Sequence, residues 1–138
     1  GPGKQVIMKK ILIVDDDADL RKGTRTLLES YGYAVAEAGD GQKGLEAARK
    51  EKPDMVLLDV MMAHDMEGFD VVKRLKEDAE TRGVKVILMT GIRRAKGLPF
   101  RFEPDEDWLP VHAVLEKPVP PDVLLFKIQE ALELPNRS

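Results

Sequence analysis

The sequence predicts an α/β fold, a parallel sheet covered by helices on both faces, and three observations predict it. Short apolar runs alternate with amphipathic stretches along the chain. The runs Ile11-Leu12-Ile13-Val14 and Met55-Val56-Leu57-Leu58 are apolar at every position, as strands buried on both faces are. The runs also end abruptly on polar residues: Asp15, Asp59, Thr90 and Glu116-Lys117.

The elements follow in order. Ile11 to Val14 forms the first strand and stops at Asp15-Asp16-Asp17. Residues 18–31 carry Leu20, Thr24, Leu27, Leu28 and Tyr31 at helical spacing, with Asp17 as the cap and Gly32 as the stop. Tyr33 to Ala38 reads as the second strand, and Gly39-Asp40-Gly41 as a turn. Gly44 to Lys50 is a weaker helix with Leu45 and Ala48 inward. The third strand runs from Asp54 to Leu58, and a loop follows to Gly68. Phe69, Val72 and Leu75 mark a third helical stripe, reaching to about Glu80. Val84 to Met89 is a fourth strand, and Ala113-Val114-Leu115 a short fifth. Leu124, Leu125, Ile128, Ala131 and Leu132 give a last amphipathic helix, with Pro120 and Pro121 near its start.

Between the fourth and fifth strands the alternation breaks. Pro99, Pro104 and Pro110 forbid a long regular helix in Ile92–His112. Its Phe100, Phe102, Trp108 and Leu109 follow no clear period, so an irregular Pro-rich excursion is expected in place of the helix that normally joins such strands. Arg93, Arg94 and Lys96 are followed by Glu103, Asp105, Glu106 and Asp107, which reads as a self-neutralising loop.

Composition narrows the function. A chain of 138 residues fits one domain. Charged residues are 34% of it, of both signs, and a net charge of −3 gives no reason to expect nucleic acid or a membrane surface as a partner. Absence of cysteine excludes disulfides and thiolate metal sites. No apolar run is long enough to span a bilayer, and the first residues lack the pattern of a signal peptide, so a cytoplasmic protein is expected. Gly1-Pro2-Gly3 reads as a cloning remnant and Met8 as a natural start. Residues 1–7 are therefore set apart, residues 8–134 form the domain, and 135–138 are a short tail.

In an open parallel sheet, ligands bind beyond the carboxyl ends of the strands. Adjacent strands would bring Asp15, Asp16, Asp59, Thr90 and Lys117 to one crevice there. Three carboxylates together repel, and a hard divalent cation with oxygen ligands resolves the repulsion. An Asp at the end of a rigid strand is also a plausible nucleophile toward phosphorus. Taken singly, each residue has a plainer role. Asp15-Asp16-Asp17 would make a solvated turn, with Asp17 a helix cap, and Lys117 would be a surface lysine. His64 reads as a solvent-facing loop residue and His112 as the residue before the fifth strand. The spacing of Asp15, Asp17 and Asp19 lacks the glycine and glutamate of an EF-hand loop.

Four segments together resemble the signatures of response-regulator receiver domains. They are Ile11-Leu12-Ile13-Val14-Asp15-Asp16-Asp17, Pro53 through Met62 around Asp59, Leu88-Met89-Thr90-Gly91, and Leu115-Glu116-Lys117-Pro118. The resemblance implies a flavodoxin-like (βα)5 three-layer sandwich with strand order 2-1-3-4-5. It implies Asp59 as phosphoacceptor, Thr90 as switch hydroxyl and Lys117 as phosphate-binding lysine. Mg²⁺ would be held by Asp15, Asp16, Asp59 and the main-chain carbonyl of Met61. A cis Lys117-Pro118 peptide is implied as well. The protein would then be a two-component phosphorelay switch rather than an enzyme. A histidine kinase or phosphotransfer protein would supply the phosphoryl group, and a downstream target protein would receive the signal. Two alternatives stand beside this reading. One is a degenerate receiver acting only as a binding module. The other is an Asp-nucleophile phosphohydrolase, suggested by Asp15-x-Asp17, whose cap this chain has no residues to build.

The sequence departs from the family pattern in places. Ala63-His64-Asp65 stands where a proline is usual, Gly68 comes one residue late, and Val114 replaces the aromatic residue that often precedes the lysine by three. Met61 and Ile92, which flank the acceptor, are apolar and would hold an attacking water poorly. Slow loss of the phosphoryl group is therefore expected, with Met61→Asn shortening the half-life of the phosphorylated chain. A wild-type half-life already as short as that of the variant would contradict it.

Overall fold

The computed structural model of the chain describes residues 8–60, 67–91 and 110–133. Nine elements occupy them: β1 (Lys10–Val14), α1 (Ala18–Ser30), β2 (Ala34–Ala38), α2 (Gly41–Glu51), β3 (Met55–Asp59), α3 (Glu67–Glu77), β4 (Lys85–Gly91), β5 (Ala113–Lys117) and α4 (Pro121–Glu133). The five strands form one parallel sheet in the order β2-β1-β3-β4-β5. Met61, His64 and most of the Ile92–His112 segment, with its basic cluster and aromatic residues, lie outside the described residues, as do residues 1–7 and the tail.

Alternation along each strand sorts the core into two halves. Leu12, Val14, Val56, Leu58, Val86 and Leu88 face α2 and α3, where they meet Leu45, Ala48, Val71, Val72 and Leu75. Ile11, Ile13, Met55, Leu57, Ile87 and Met89 face the opposite way, toward Leu28 of α1 and Leu124, Leu125, Ile128 and Ala131 of α4. These rows are almost wholly buried. Truncating one such large side chain to alanine costs about 2–5 kcal/mol.

The helix ends show where local chemistry refines the sequence pattern. Asp17 caps α1, its side chain accepting from the backbone N–H groups of Asp19 and Leu20. Gly32 follows α1 with a φ of 91°, in the left-handed region that glycine tolerates. The buried stripe of α1 is narrower than its spacing suggests. Leu28 is buried and Leu27 partly so, but Leu20 and Tyr31 are exposed, and Arg21 and Arg25 of the same helix pair with Glu37 of β2. α2 begins three residues earlier than its apolar pattern. Asp40 is not merely part of a turn; it caps the helix by accepting from the Lys43 N–H. α3 ends at Glu77, where Asp78 starts a tight turn by accepting from the Glu80 N–H. β5 continues through Lys117, which puts the lysine on the sheet itself.

Two glycines let helices approach strand ends closely. A Cβ on Gly44 would lie 3.0 Å from both methyl groups of Val14. A Cβ on Gly68 would lie 2.6 Å from the Val60 Cα, inside any real contact distance. Gly68 thus seats α3 on the residue after Asp59, even though it comes one position late in the chain. Gly68→Ala must push α3 or Val60 aside. Urea unfolding is expected to show a loss of about 1–3 kcal/mol, whereas an unchanged midpoint would mean that the contact is loose.

Candidate functional site

The strand register brings the polar strand ends together. Asp59 continues the Met55 and Leu57 row of β3, and Lys117 continues the Ala113 and Leu115 row of β5. Met89 is the register partner of Asp59 and Gly91 that of Lys117, so Thr90 lies on β4 between them. Asp15 follows the last residue of β1, and its N–H donates to the Ala38 carbonyl of β2 at 3.1 Å.

Lys117 ties the site together. Its Nζ donates to Asp59 Oδ2 at 2.7 Å and to Asp15 Oδ2 at 3.2 Å. Asp15 and Asp59 are 1% and 3% exposed, so both carboxylates need such partners. Asp15 Oδ1 accepts from the Asp17 N–H at 2.9 Å. Thr90 is buried, at 1% exposure. Asp16 is exposed, and one carboxylate oxygen from each of Asp15, Asp16 and Asp59 lies within 4.8 Å of the others. This oxygen-only donor set suits a hard divalent cation. Of the residues singled out from sequence, Asp15, Asp16, Asp59 and Lys117 are thus gathered side chain to side chain, and Thr90 is at the same sheet edge. Met61 is outside the described residues. The Lys117-Pro118 peptide is cis.

The electrostatics follow from this crowding. Burial raises the Asp15 pKa above its ordinary value, and the Asp59 charge adds to the rise. The Asp17 N–H and Lys117 oppose it without cancelling it. Burial works against the Lys117 ammonium, but its hydrogen bond to Asp59 and the charges of Asp59 and Asp15 outweigh that cost and raise its pKa. Lys117 therefore stays charged throughout the neutral range.

Known proteins show which family the chain falls in. The sequence profile described as the response regulator receiver domain matches residues 11–129. This chain belongs to the response regulator receiver family. The receiver is 41% identical over 83 residues to the protein PilH of Pseudomonas aeruginosa, a match covering 60% of this chain and 68% of PilH. It is 31% identical over 130 residues to RpaA of Synechocystis, a DNA-binding transcriptional regulator, covering 94% of this chain and 52% of RpaA. The chain therefore spans about half the length of that larger relative. Among solved structures, a CheY-like receiver domain from Methanospirillum hungatei superposes with a TM-score of 0.73 at 30% identity, covering 92% of this chain and 95% of the other. Chemotaxis protein CheY4 of Vibrio cholerae gives a TM-score of 0.74 at 26% identity, covering 91% and 99%. Their likeness and the 2-1-3-4-5 order of the parallel sheet make this a flavodoxin-like fold. Among the described residues, no helix is long and apolar enough to cross a membrane.

One contact at the site has no counterpart in the sequence reading. Arg21 Nη1 donates to the Asp15 carbonyl at 2.6 Å. The available signal was faint, a single arginine in the first turns of α1 beside other charged residues.

The raised pKa of Asp15 has a consequence for stability. A carboxyl group whose folded pKa exceeds its unfolded value stabilises most when protonated, and that contribution is lost as pH rises through the folded pKa. Without divalent metal ions, Asp15→Asn is therefore expected to raise the thermal midpoint at neutral pH by a few degrees. The gap should close as pH falls toward the ordinary value of 3.8. A variant less stable than wild type at neutral pH would contradict this.

Proposed function

We propose that this receiver accepts a phosphoryl group on Asp59, in a Mg²⁺-dependent reaction, and passes the change on through protein contacts. The observation that carries the reading is the Lys117 ammonium held on both Asp59 and Asp15, with Asp16 alongside. Asp15, Asp16 and Asp59 would hold the ion, joined by the Met61 carbonyl. When bound, Mg²⁺ would neutralise charge on the phosphoryl oxygens and on the acidic cluster.

The chain's own residues do the rest. A carboxylate oxygen of Asp59, held at the end of a rigid strand, forms the new bond to phosphorus. The bond from phosphorus to the donor breaks: a P–N bond for a phosphohistidine, a P–O bond for acetyl phosphate. The donor keeps the electron pair. Lys117 already touches Asp59, so its ammonium is placed to pair with a phosphoryl oxygen once Asp59 carries the acyl phosphate. Thr90 would donate its hydroxyl to another oxygen, biasing the end of β4 between two arrangements.

In this reading the receiver is a regulatory phosphoacceptor that turns over no external substrate. Its donor would be a histidine kinase or a phosphotransfer protein, and its target another protein. A cytoplasmic setting fits this role.

Intact-mass analysis after incubation with acetyl phosphate and Mg²⁺ tests the proposal. Wild type should gain one phosphoryl group, and chelation of Mg²⁺ or Asp59→Asn should abolish the gain. Lys117→Met should slow it about a hundredfold. Labelling that persists in Asp59→Asn, or catalytic turnover of a phosphomonoester, would overturn the proposal.

A further inference from the structure

Asp15 is held at every polar atom, and the hold on its carbonyl comes from a side chain of α1. Its N–H is on the Ala38 carbonyl, and its carboxylate oxygens are on the Asp17 N–H and Lys117. Its carbonyl accepts from Arg21 Nη1 at 2.6 Å, the shortest of the four contacts. That carbonyl belongs to the peptide joining Asp15 to Asp16, so its direction sets how the Asp16 carboxylate leaves the chain.

Arg21 is itself fixed. Its Nε donates to Glu37 Oε1 at 3.1 Å, and Arg25 Nη1 holds Glu37 Oε2 at 2.8 Å. The Arg25 hydrogen bond, helped by Arg21, keeps the Glu37 carboxyl below its ordinary pKa against the opposing effect of burial. The guanidinium also lies over the turn between β2 and α2, where a Cβ on Gly39 would meet its Nη1 at 3.4 Å. A planar fork with two acceptors in different directions has little rotational freedom left.

We infer that Arg21 is a positioning residue for the cation site: braced by Glu37 of β2, its guanidinium fixes the Asp15–Asp16 peptide and so the spacing of the two carboxylates. This rests on reading the acidic cluster as a Mg²⁺ site. It differs from a simple charge effect in sign. An arginine beside a cation site repels the cation, so charge alone predicts that removing Arg21 tightens Mg²⁺ binding. Loss of the brace predicts the opposite.

Calorimetric titration with Mg²⁺ alone separates the two. Arg21→Met should weaken binding about tenfold, as loss of a partner behind the metal ligands does. Arg21→Lys keeps the charge without the fork. It should also bind more weakly than wild type, though less so than Arg21→Met, whereas a pure charge effect would leave it unchanged. Arg25→Met removes the same charge from the same network without touching Asp15 and should bind close to wild type. Thermal unfolding confirms which variants are folded at the titration temperature, and Arg21→Lys carries the test if Arg21→Met is not. Binding by the Arg21 variants as tight as wild type, or tighter, overturns the inference while leaving the Mg²⁺ site standing. A wild-type chain that takes up no Mg²⁺ overturns the site reading itself, and this inference with it.

Discussion

The site depends on one ammonium group between two buried carboxylates. Lys117 lies 102 residues from Asp15 and 58 from Asp59 along the chain, yet its Nζ bonds to both. Such a charge triad is costly to desolvate, and it persists because each member satisfies another. The sheet order makes it geometrically available. β1 and β3 are neighbours and β5 lies one strand beyond β4, so a long side chain from the end of β5 reaches across β4 to Asp59. The raised Asp15 pKa shows that the lysine does not relieve the whole burden. What remains is a preference for more positive charge at this edge, which on the proposed reading a divalent ion would supply.

Much of this was legible in the sequence, for identifiable reasons. Strands buried on both faces leave unbroken apolar runs, so β1, β3 and β4 announce themselves, and each stops at the polar residue that matters. The sheet order follows from the resemblance of four separated segments, as do the roles proposed for Asp59 and Lys117; no periodicity supplies them. Helix starts were harder. Asp40 looks like a turn residue until its side chain is seen on the Lys43 N–H, and the glycines of α2 hide a helix packed tightly on Val14. Leu20 and Tyr31 share the period of Leu27 and Leu28 but are exposed, while Arg21 and Arg25 of the same helix reach Glu37 of β2.

The Arg21, Arg25 and Glu37 network shows a second limit of sequence reading. Charged residues on a helix and a lone glutamate in a short strand look like solvated surface. Pairing across 16 and 12 residues, on partners fixed by the β1–β2 register, makes them a brace. The edge strand β2, mostly half-buried, thereby acquires a link to the acidic cluster that its own composition does not suggest.

The two close glycine contacts have a consequence for how the cleft can vary. Gly44 and Gly68 each lie near the start of a helix, against a valine at the carboxyl end of a strand, on the rim of the same crevice. There the wall is main chain against valine, with no adjustable side chain between. Solvent-facing positions farther along α2 and α3 can change freely without altering the mouth. The contacts of Gly44 on Val14 and of Gly68 on Val60 thus hold the starts of both helices at fixed distances from the strand ends beside Asp15 and Asp59.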